Sequence, residues 1–148
     1  MKKAVVCGAG GFIGHHLARL LKAKGYWVRG VDIKHPMFGK TPADEFAVLD
    51  LREPANCREA IRIGGGPADE VYQLAADMGG MGYIENNKAA CMLSVLINTH
   101  MLAAAREVAV ERYFYASSAC VYNADKQVDA DVAPLRESDA YPAMPEDG

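Results

Sequence analysis

The alternation of apolar and polar positions divides the chain into short strands and helices. Lys3 to Cys7 is a largely apolar run that stops at glycines, which predicts a buried strand. From Phe12 to Lys24 the apolar residues Phe12, Ile13, Leu17, Leu20 and Leu21 recur at helical spacing, and Gly25 follows as a helix stop. Trp27 to Val31 predicts a second strand, ending at Asp32. His35 to Pro42 carries two prolines and one glycine and reads as a loop. Glu45 to Leu49 is a third strand, ending at Asp50. Pro54 to Ile63 suits a helix, with proline tolerated in its first turn, and Gly64-Gly65-Gly66-Pro67 breaks it. Glu70 to Leu74 is a fourth strand, Glu85 to Val108 a long helix low in breakers, and Arg112 to Ser117 a fifth strand.

Strands that alternate with helices in this way predict an α/β, Rossmann-type doubly wound parallel sheet with helices on both faces. The expected division is a dinucleotide-binding domain over residues 1–124 and an acidic connecting segment over 125–148. That segment holds seven acidic residues against Lys126 and Arg136, a net charge of −5. Few apolar residues are available to bury it, so an extended, loosely packed path is expected.

Composition narrows the function classes. The 148 residues suffice for one domain, and 51% hydrophobic with 24% charged residues is ordinary for a globular protein. With a net charge of −3 and no basic stripe, a nucleic-acid partner is not expected. The apolar runs read as too short for a membrane span. Met1-Lys2-Lys3 opens like a secretory signal, but the apolar run ends at Gly8-Ala9-Gly10-Gly11, so strand and glycine turn is the better reading. Cys7, Cys57, Cys91 and Cys120 form no C-x-x-C pair and no zinc spacing, which fits reduced thiols in a cytoplasmic protein. His35 and His100 have no partners that suggest a metal, and none is expected; His15 and His16 read as half-exposed.

The chemistry-bearing segment is Gly8-Ala9-Gly10-Gly11-Phe12-Ile13-Gly14, placed where strand becomes helix. Gly8 permits the tight turn, Gly11 lets a pyrophosphate approach the backbone, and Gly14 lets the helix pack closely on the sheet. The helix N-terminus offers N–H groups and partial positive charge to phosphates. A glycine triplet alone also fits a merely tight turn. Asp32, 18 residues beyond Gly14, lies near the spacing of about 20 expected for the acid that binds the adenosine ribose. An acid there favours NAD over NADP, because it repels a 2′-phosphate; Arg29 and Lys34 nearby weaken that preference.

The pattern G-x-x-G-x-x-G with Phe12-Ile13 inside it resembles the extended short-chain dehydrogenase/reductase family, in its NAD-dependent epimerase/dehydratase branch. Further matches follow in order along the whole chain. Asp50-Leu51 resembles the family's adenine-contacting pair, and Leu74-Ala75-Ala76 the segment whose backbone lines the cofactor. Ser117-Ser118-Ala119-Cys120-Val121-Tyr122 resembles the segment that carries a catalytic hydroxyl. Within the family, Ala76-Asp77-Met78-Gly79-Gly80-Met81-Gly82, the Cys120 position and Glu137-Ser138-Asp139-Ala140-Tyr141-Pro142-Ala143 are similar to the 3,5-epimerases of GDP-mannose.

What this resemblance implies is a nucleotide-sugar substrate of the GDP-mannose class and NAD as cofactor. Carbon 4 is oxidised to a ketone, protons exchange at carbons 3 and 5, and the ketone is reduced back. Cys120 is then an acid/base, since a free thiol titrates at about 8.5 and a modest downward shift suits it to proton transfer. Ser118 hydrogen-bonds the sugar hydroxyl, and Gly79, Gly80 and Ala119 border the sugar. The alternatives are a small buried cysteine and an ordinary flexible loop. Cys7, Cys57 and Cys91 read as structural, and Met78 and Met81 as packing residues.

The family's Tyr-x-x-x-Lys motif is expected just beyond Gly148, so the 148 residues by themselves are expected to be inactive. Tyr122 and Lys126 match the spacing, but they fall in the preceding motif and are rejected. Competing readings are a UDP-glucose 4-epimerase, a sugar-nucleotide 4,6-dehydratase, and a module that holds NAD without turnover. The resemblance also implies a homodimer, with Glu85–Val108 as the candidate helix.

Overall fold

A computed structural model describes residues 1–37, 39–79, 81–118, 121–123 and 134–142. The chain divides into two compact units, Met1–Tyr115 and Ala116–Gly148.

The first unit is built on five strands: β1 (Lys3–Cys7), β2 (Trp27–Asp32), β3 (Glu45–Val48), β6 (Glu70–Gln73) and β7 (Arg112–Tyr115). All pair in parallel, in the order β3-β2-β1-β6-β7, with β1 central. The expected doubly wound sheet is therefore present. Side chains alternate across it, as the two-residue period of a strand requires. Val5, Cys7, Val31 and Val71 face α2 (Pro54–Ile61) and α4 (Lys88–Glu107), burying Cys57, Ile61, Ile97 and Met101. Ala4, Val6 and Val28 face α1 (Phe12–Ala23), burying Ala18 and Leu21.

Gly25 ends α1 as expected: it sits at φ +81°, its N–H donates to the Lys22 carbonyl, and the Tyr26 N–H reaches back to that of Leu21. Two elements differ from the sequence reading. The segment after α2 is a hairpin rather than a plain break. Gly64 and Gly65, both at positive φ, turn β4 (Arg62–Ile63) against β5 (Gly66–Pro67) as a two-residue turn demands. The long helix is also divided, into α3 (Met81–Asn86) and α4. The side-chain amides of Asn86 and Asn87 donate to the carbonyls of Gly82 and Tyr83, competing with the helix ladder at the break.

α4 corrects a further expectation. It runs for 20 residues and contains an 18-residue stretch with a mean hydropathy of 1.3, long and apolar enough to cross a membrane by length and composition alone. In this fold the helix lies on the sheet, through Ile97, Met101, Ala104 and Ala105.

A buried carboxylate ties the opposite rim of the sheet together. Glu70, only 1% exposed, accepts from Tyr72 Oη at 2.7 Å, Lys2 Nζ at 3.1 Å and Tyr26 Oη at 3.3 Å, with Arg112 at 3.6 Å. Burial pushes its pKa up, but Tyr72, Lys2 and Arg112 outweigh that and hold the carboxyl below its usual range.

In the second unit, the short 3-10 helix Glu137–Ala140 is closed by the Asp139 carboxylate, which accepts the Arg136 N–H at 2.8 Å. Asn123 is buried, its side-chain amide donating to the Pro142 carbonyl at 3.2 Å. Of the acidic segment, only residues 134–142 are among those described.

Candidate functional site

Parallel strands place all their C-terminal ends at one rim, and the candidate residues gather there. The turn after β1 is shaped by contacts that exclude side chains. Gly8 lies at φ +79°, a conformation in which a Cβ is strained, and a Cβ there would sit 3.0 Å from the Ala75 nitrogen. At Gly10 a Cβ would meet the Lys34 carbonyl oxygen at 2.7 Å and the Asp32 carboxylate at 3.0 Å. Gly14 presses on the Gly8 carbonyl and on Ala9, so its missing side chain serves the turn itself, where the sequence reading assigned it to packing on the sheet. Gly11 is less constrained, with the Gly8 oxygen at 3.4 Å from a would-be Cβ.

Asp32 ends β2 and aims at this turn. Its Oδ2 accepts the Gly10 N–H at 2.9 Å, and its Oδ1 the Lys34 N–H at 3.3 Å. α1 begins just after Gly11, with no side-chain cap and no acidic residue in its first turn.

These elements border a cavity of about 420 Å³. Of the residues expected to hold a cofactor, Gly8, Gly11, Asp32, Asp50, Leu51, Leu74, Ala75 and Ala76 line it. Gly10 and Gly14 shape the turn from behind. Phe12 and Ile13 do not line the cavity and are exposed, at 63% and 68%.

The segment after β6 meets the cavity with most of its amides already engaged. The N–H of Leu74 donates to Cys7, and that of Asp77 to Ser94 Oγ at 2.9 Å. Gln73 is buried; its Nε2 donates to the Ala75 carbonyl at 2.7 Å and to Asn98 Oδ1 at 2.9 Å, while its Oε1 accepts the Ala75 N–H at 3.4 Å. Ala75 therefore offers the cavity mainly an apolar surface.

At the far wall, Arg52 grips Asp50 through Nε and Nη2, at 2.9 and 3.0 Å and at 2.6 Å, and the carboxyl is held below its usual range by that hydrogen bond.

Several lining residues escaped the sequence reading, among them Ile33, Arg52, Ser94 and Ile97. Lys34, weighed for its place beside Asp32, does line the cavity; Ser94 and Ile97 carry no local signal, because only the packing of α4 brings them in. Arg29, weighed beside Lys34 as a phosphate ligand, is buried and committed elsewhere. It donates to the carbonyls of Glu59, Ala60 and Arg62 at the end of α2 and to both oxygens of Glu45. His15 also differs from expectation. It is 3% exposed, and Arg19 donates to its Nε2 at 3.3 Å, whereas His16 is exposed as a first-turn residue can be.

Gly79 borders Tyr83, whose ring carbon Cγ would lie 2.7 Å from a Cβ there; the Tyr83 hydroxyl donates to Asp77 Oδ1 at 2.8 Å. Gly80, Ala119 and Cys120 lie outside the described residues, as does Lys126 of the rejected Tyr122 pair. Ser118 is described and belongs to the second unit. Cys7 and Cys57 are buried free thiols; burial pushes both up, Cys57 to about 11, as structural cysteines require. Among the described residues no cluster of His, Cys, Asp and Glu could hold a metal.

The family model described as "NAD dependent epimerase/dehydratase family" matches residues 4–144. The chain is 46% identical over 145 residues to GDP-mannose 3,5-epimerase 1 of Oryza sativa subsp. japonica, covering 96% of this chain and 37% of the relative. It is 44% identical over 148 residues to GDP-mannose 3,5-epimerase of Arabidopsis thaliana, covering 98% and 38%. The chain thus spans somewhat over a third of the length of these relatives. A crystal structure of UDP-galactose 4-epimerase superposes with a TM-score of 0.75 at 30% identity, over 97% of this chain and 45% of that one.

Proposed function

This chain belongs to the NAD-dependent epimerase/dehydratase family, and on that premise we propose that it is the dinucleotide-binding part of an NAD-using nucleotide-sugar epimerase acting on GDP-mannose at carbons 3 and 5. The observation that carries the reading is the Asp32 carboxylate held on the glycine turn by the Gly10 amide at 2.9 Å. A carboxylate there accepts from the two hydroxyls of an unmodified ribose and repels a 2′-phosphate.

The residues fit NAD on the shape of this chain. Side chains at Gly8, Gly10 and Gly14 would collide with their neighbours, and α1 starts without a cap of its own. Asp32 would hold the adenosine ribose, Asp50 and Leu51 the adenine, and Leu74 to Ala76 the apolar face. Lys34, the one basic residue beside Asp32 on this wall of the cavity, leaves some tolerance for a 2′-phosphate; Arg29 is already occupied. Bound NAD supplies hydride exchange at carbon 4.

The chain's own contribution is orientation and proton traffic. Ser118 hydrogen-bonds the hydroxyl at carbon 4, and Cys120 takes or returns a proton at a neighbouring carbon. Gly79, Gly80 and Ala119 border the sugar. The identity of 44–46% to GDP-mannose 3,5-epimerases, against 26% to a probable UDP-glucuronate 4-epimerase of Rhizobium meliloti, favours the 3,5 reaction. Homodimerisation fits the outer side of α4, where Met92, Val95, Leu96 and Leu102 are exposed.

Deuterium exchange tests the reading. A longer protein that carries this chain, incubated with GDP-mannose in deuterated water, incorporates deuterium at carbons 3 and 5. A polypeptide of these 148 residues binds NAD and turns over no sugar. Exchange at neither carbon by the longer protein, with NAD bound, would remove the 3,5-epimerase assignment.

A further inference from the structure

The far wall of the cavity pairs Asp50, which the cofactor reading assigns to the adenine, with Arg52, which that reading does not use. Asp50 is anchored through its backbone carbonyl, which accepts from Asn56 Nδ2 at 2.9 Å and from the Glu53 N–H at 3.2 Å. Arg52 is anchored through its own carbonyl, which accepts from His100 Nδ1 on α4 at 2.8 Å. Between these fixed points the two side chains meet as a fork. Asp50 Oδ1 accepts from the Arg52 N–H at 3.0 Å and from Nε at 2.9 Å; Oδ2 accepts from Nη2 at 2.6 Å and shares Nε at 3.0 Å.

A carboxylate has about four acceptor positions. Two donors fill Oδ1 and one main donor fills Oδ2, which leaves one acceptor position on Oδ2, in a residue that lines the cavity.

We propose that Arg52 is a positioning residue for base recognition: it fixes Asp50 so that the cavity accepts a purine with an exocyclic amino group and rejects one with a carbonyl there. The inference rests on the dinucleotide reading above and adds to it the residue that sets the selectivity. As a stabilising pair alone the fork would do little, because both side chains are partly exposed, at 44% and 35%, and such pairs contribute little to folding. Its effect lies in geometry. The planar guanidinium engages both carboxylate oxygens at once and so fixes the orientation of the carboxyl plane, which a lysine cannot do. The carboxyl is ionised at neutral pH, and the Arg52 hydrogen bonds hold it further below the usual carboxylate range, so the open position is an acceptor.

Calorimetric titration of the 148-residue chain with NAD, and with the same dinucleotide carrying hypoxanthine for adenine, tests this. The wild-type chain prefers NAD by about tenfold or more, the range of a hydrogen bond to a charged acceptor. Arg52→Gln brings the two affinities to within about threefold, and Arg52→Lys falls between. Melting curves confirm that each variant is folded; should Arg52→Gln fail to fold, a reduced preference in Arg52→Lys carries the test. A folded variant that keeps the full wild-type preference overturns the inference. So does a wild-type chain that binds both dinucleotides equally, which leaves the dinucleotide reading standing. Binding of neither overturns both.

Discussion

The Asp32 carboxylate accepts the backbone N–H of Gly10 at 2.9 Å, so the acid at the end of one strand is a structural part of the turn at the end of its neighbour in the sheet. Binding and folding share that bond, and its two partners respond differently to substitution. Asp32→Ala removes the ribose acceptor and one hydrogen bond to the turn. NAD affinity falls by at least about tenfold, the worth of a charged hydrogen bond, while affinity for NADP changes less. Parallel titrations with both dinucleotides check this; an unchanged ratio between them rules out the ribose role.

Gly10→Ala approaches the same bond from the other side. The new methyl would sit 2.7 Å from the Lys34 carbonyl oxygen, so the strand end or the turn must shift. NAD binding weakens at least as much as in Asp32→Ala, and stability drops by about 1–3 kcal/mol, as overpacking does. Gly14→Ala meets the Gly8 carbonyl and is costlier still in a thermal melt. Wild-type melting of Gly14→Ala would contradict the packing described.

Glu70 contributes to the acid sensitivity of the fold. Its folded pKa lies below the unfolded value of about 4.3, so its contribution is complete above that value and is lost as pH falls through the folded pKa. Urea melts at pH 7 and pH 3 therefore show a larger stability difference for the wild-type chain than for Glu70→Gln. At pH 7 the substitution costs about 2–4 kcal/mol, because Lys2 and the two tyrosines lose a buried charged acceptor. An identical pH dependence in wild type and variant would contradict the role.

Gln73 and Asn98 hold the strand-end segment Leu74–Ala76 against α4. Single Gln73→Leu and Asn98→Ala substitutions and their combination form a double-mutant cycle, with an expected coupling of about 1 kcal/mol. Independent effects would show that the 2.9 Å contact carries no energy.

Cys120→Ala, made in a longer protein that carries this chain, leaves NAD affinity within about twofold and abolishes deuterium entry at carbon 3, carbon 5 or both, as removal of a general acid or base does. Undiminished exchange at both carbons would assign the proton transfer elsewhere.

Much of this architecture is legible along the chain. The strand runs ending at Gly8, Asp32, Asp50 and Leu74 mark one rim because parallel strands all finish there, and local pattern alone locates them. What escapes is non-local or competitive. Ser94 and Ile97 enter the cavity only because α4 lies across the sheet, and nothing in their neighbourhood announces it. Arg29 sits two residues before Val31 and invites a phosphate-binding role, yet three carbonyls at the end of α2 claim it. The break at Asn87 arises because two asparagine side chains outcompete a ladder that the apolar pattern favours. Gly64-Gly65 reads as a stop signal, and becomes a turn only once Ile63 and Gly66 pair.

That small hairpin lies past the end of α2, away from the binding rim, and a Cβ at Gly64 or Gly65 would touch nothing within 4 Å. Crossover helices run antiparallel to their strands, so insertions at this corner enter solvent and leave the ligand-facing edge undisturbed. The turn is thus an attachment point for a fluorophore or an affinity handle, by insertion rather than by replacing its two positive-φ glycines, from which occupancy of the distant cleft could be followed without touching a residue that makes it.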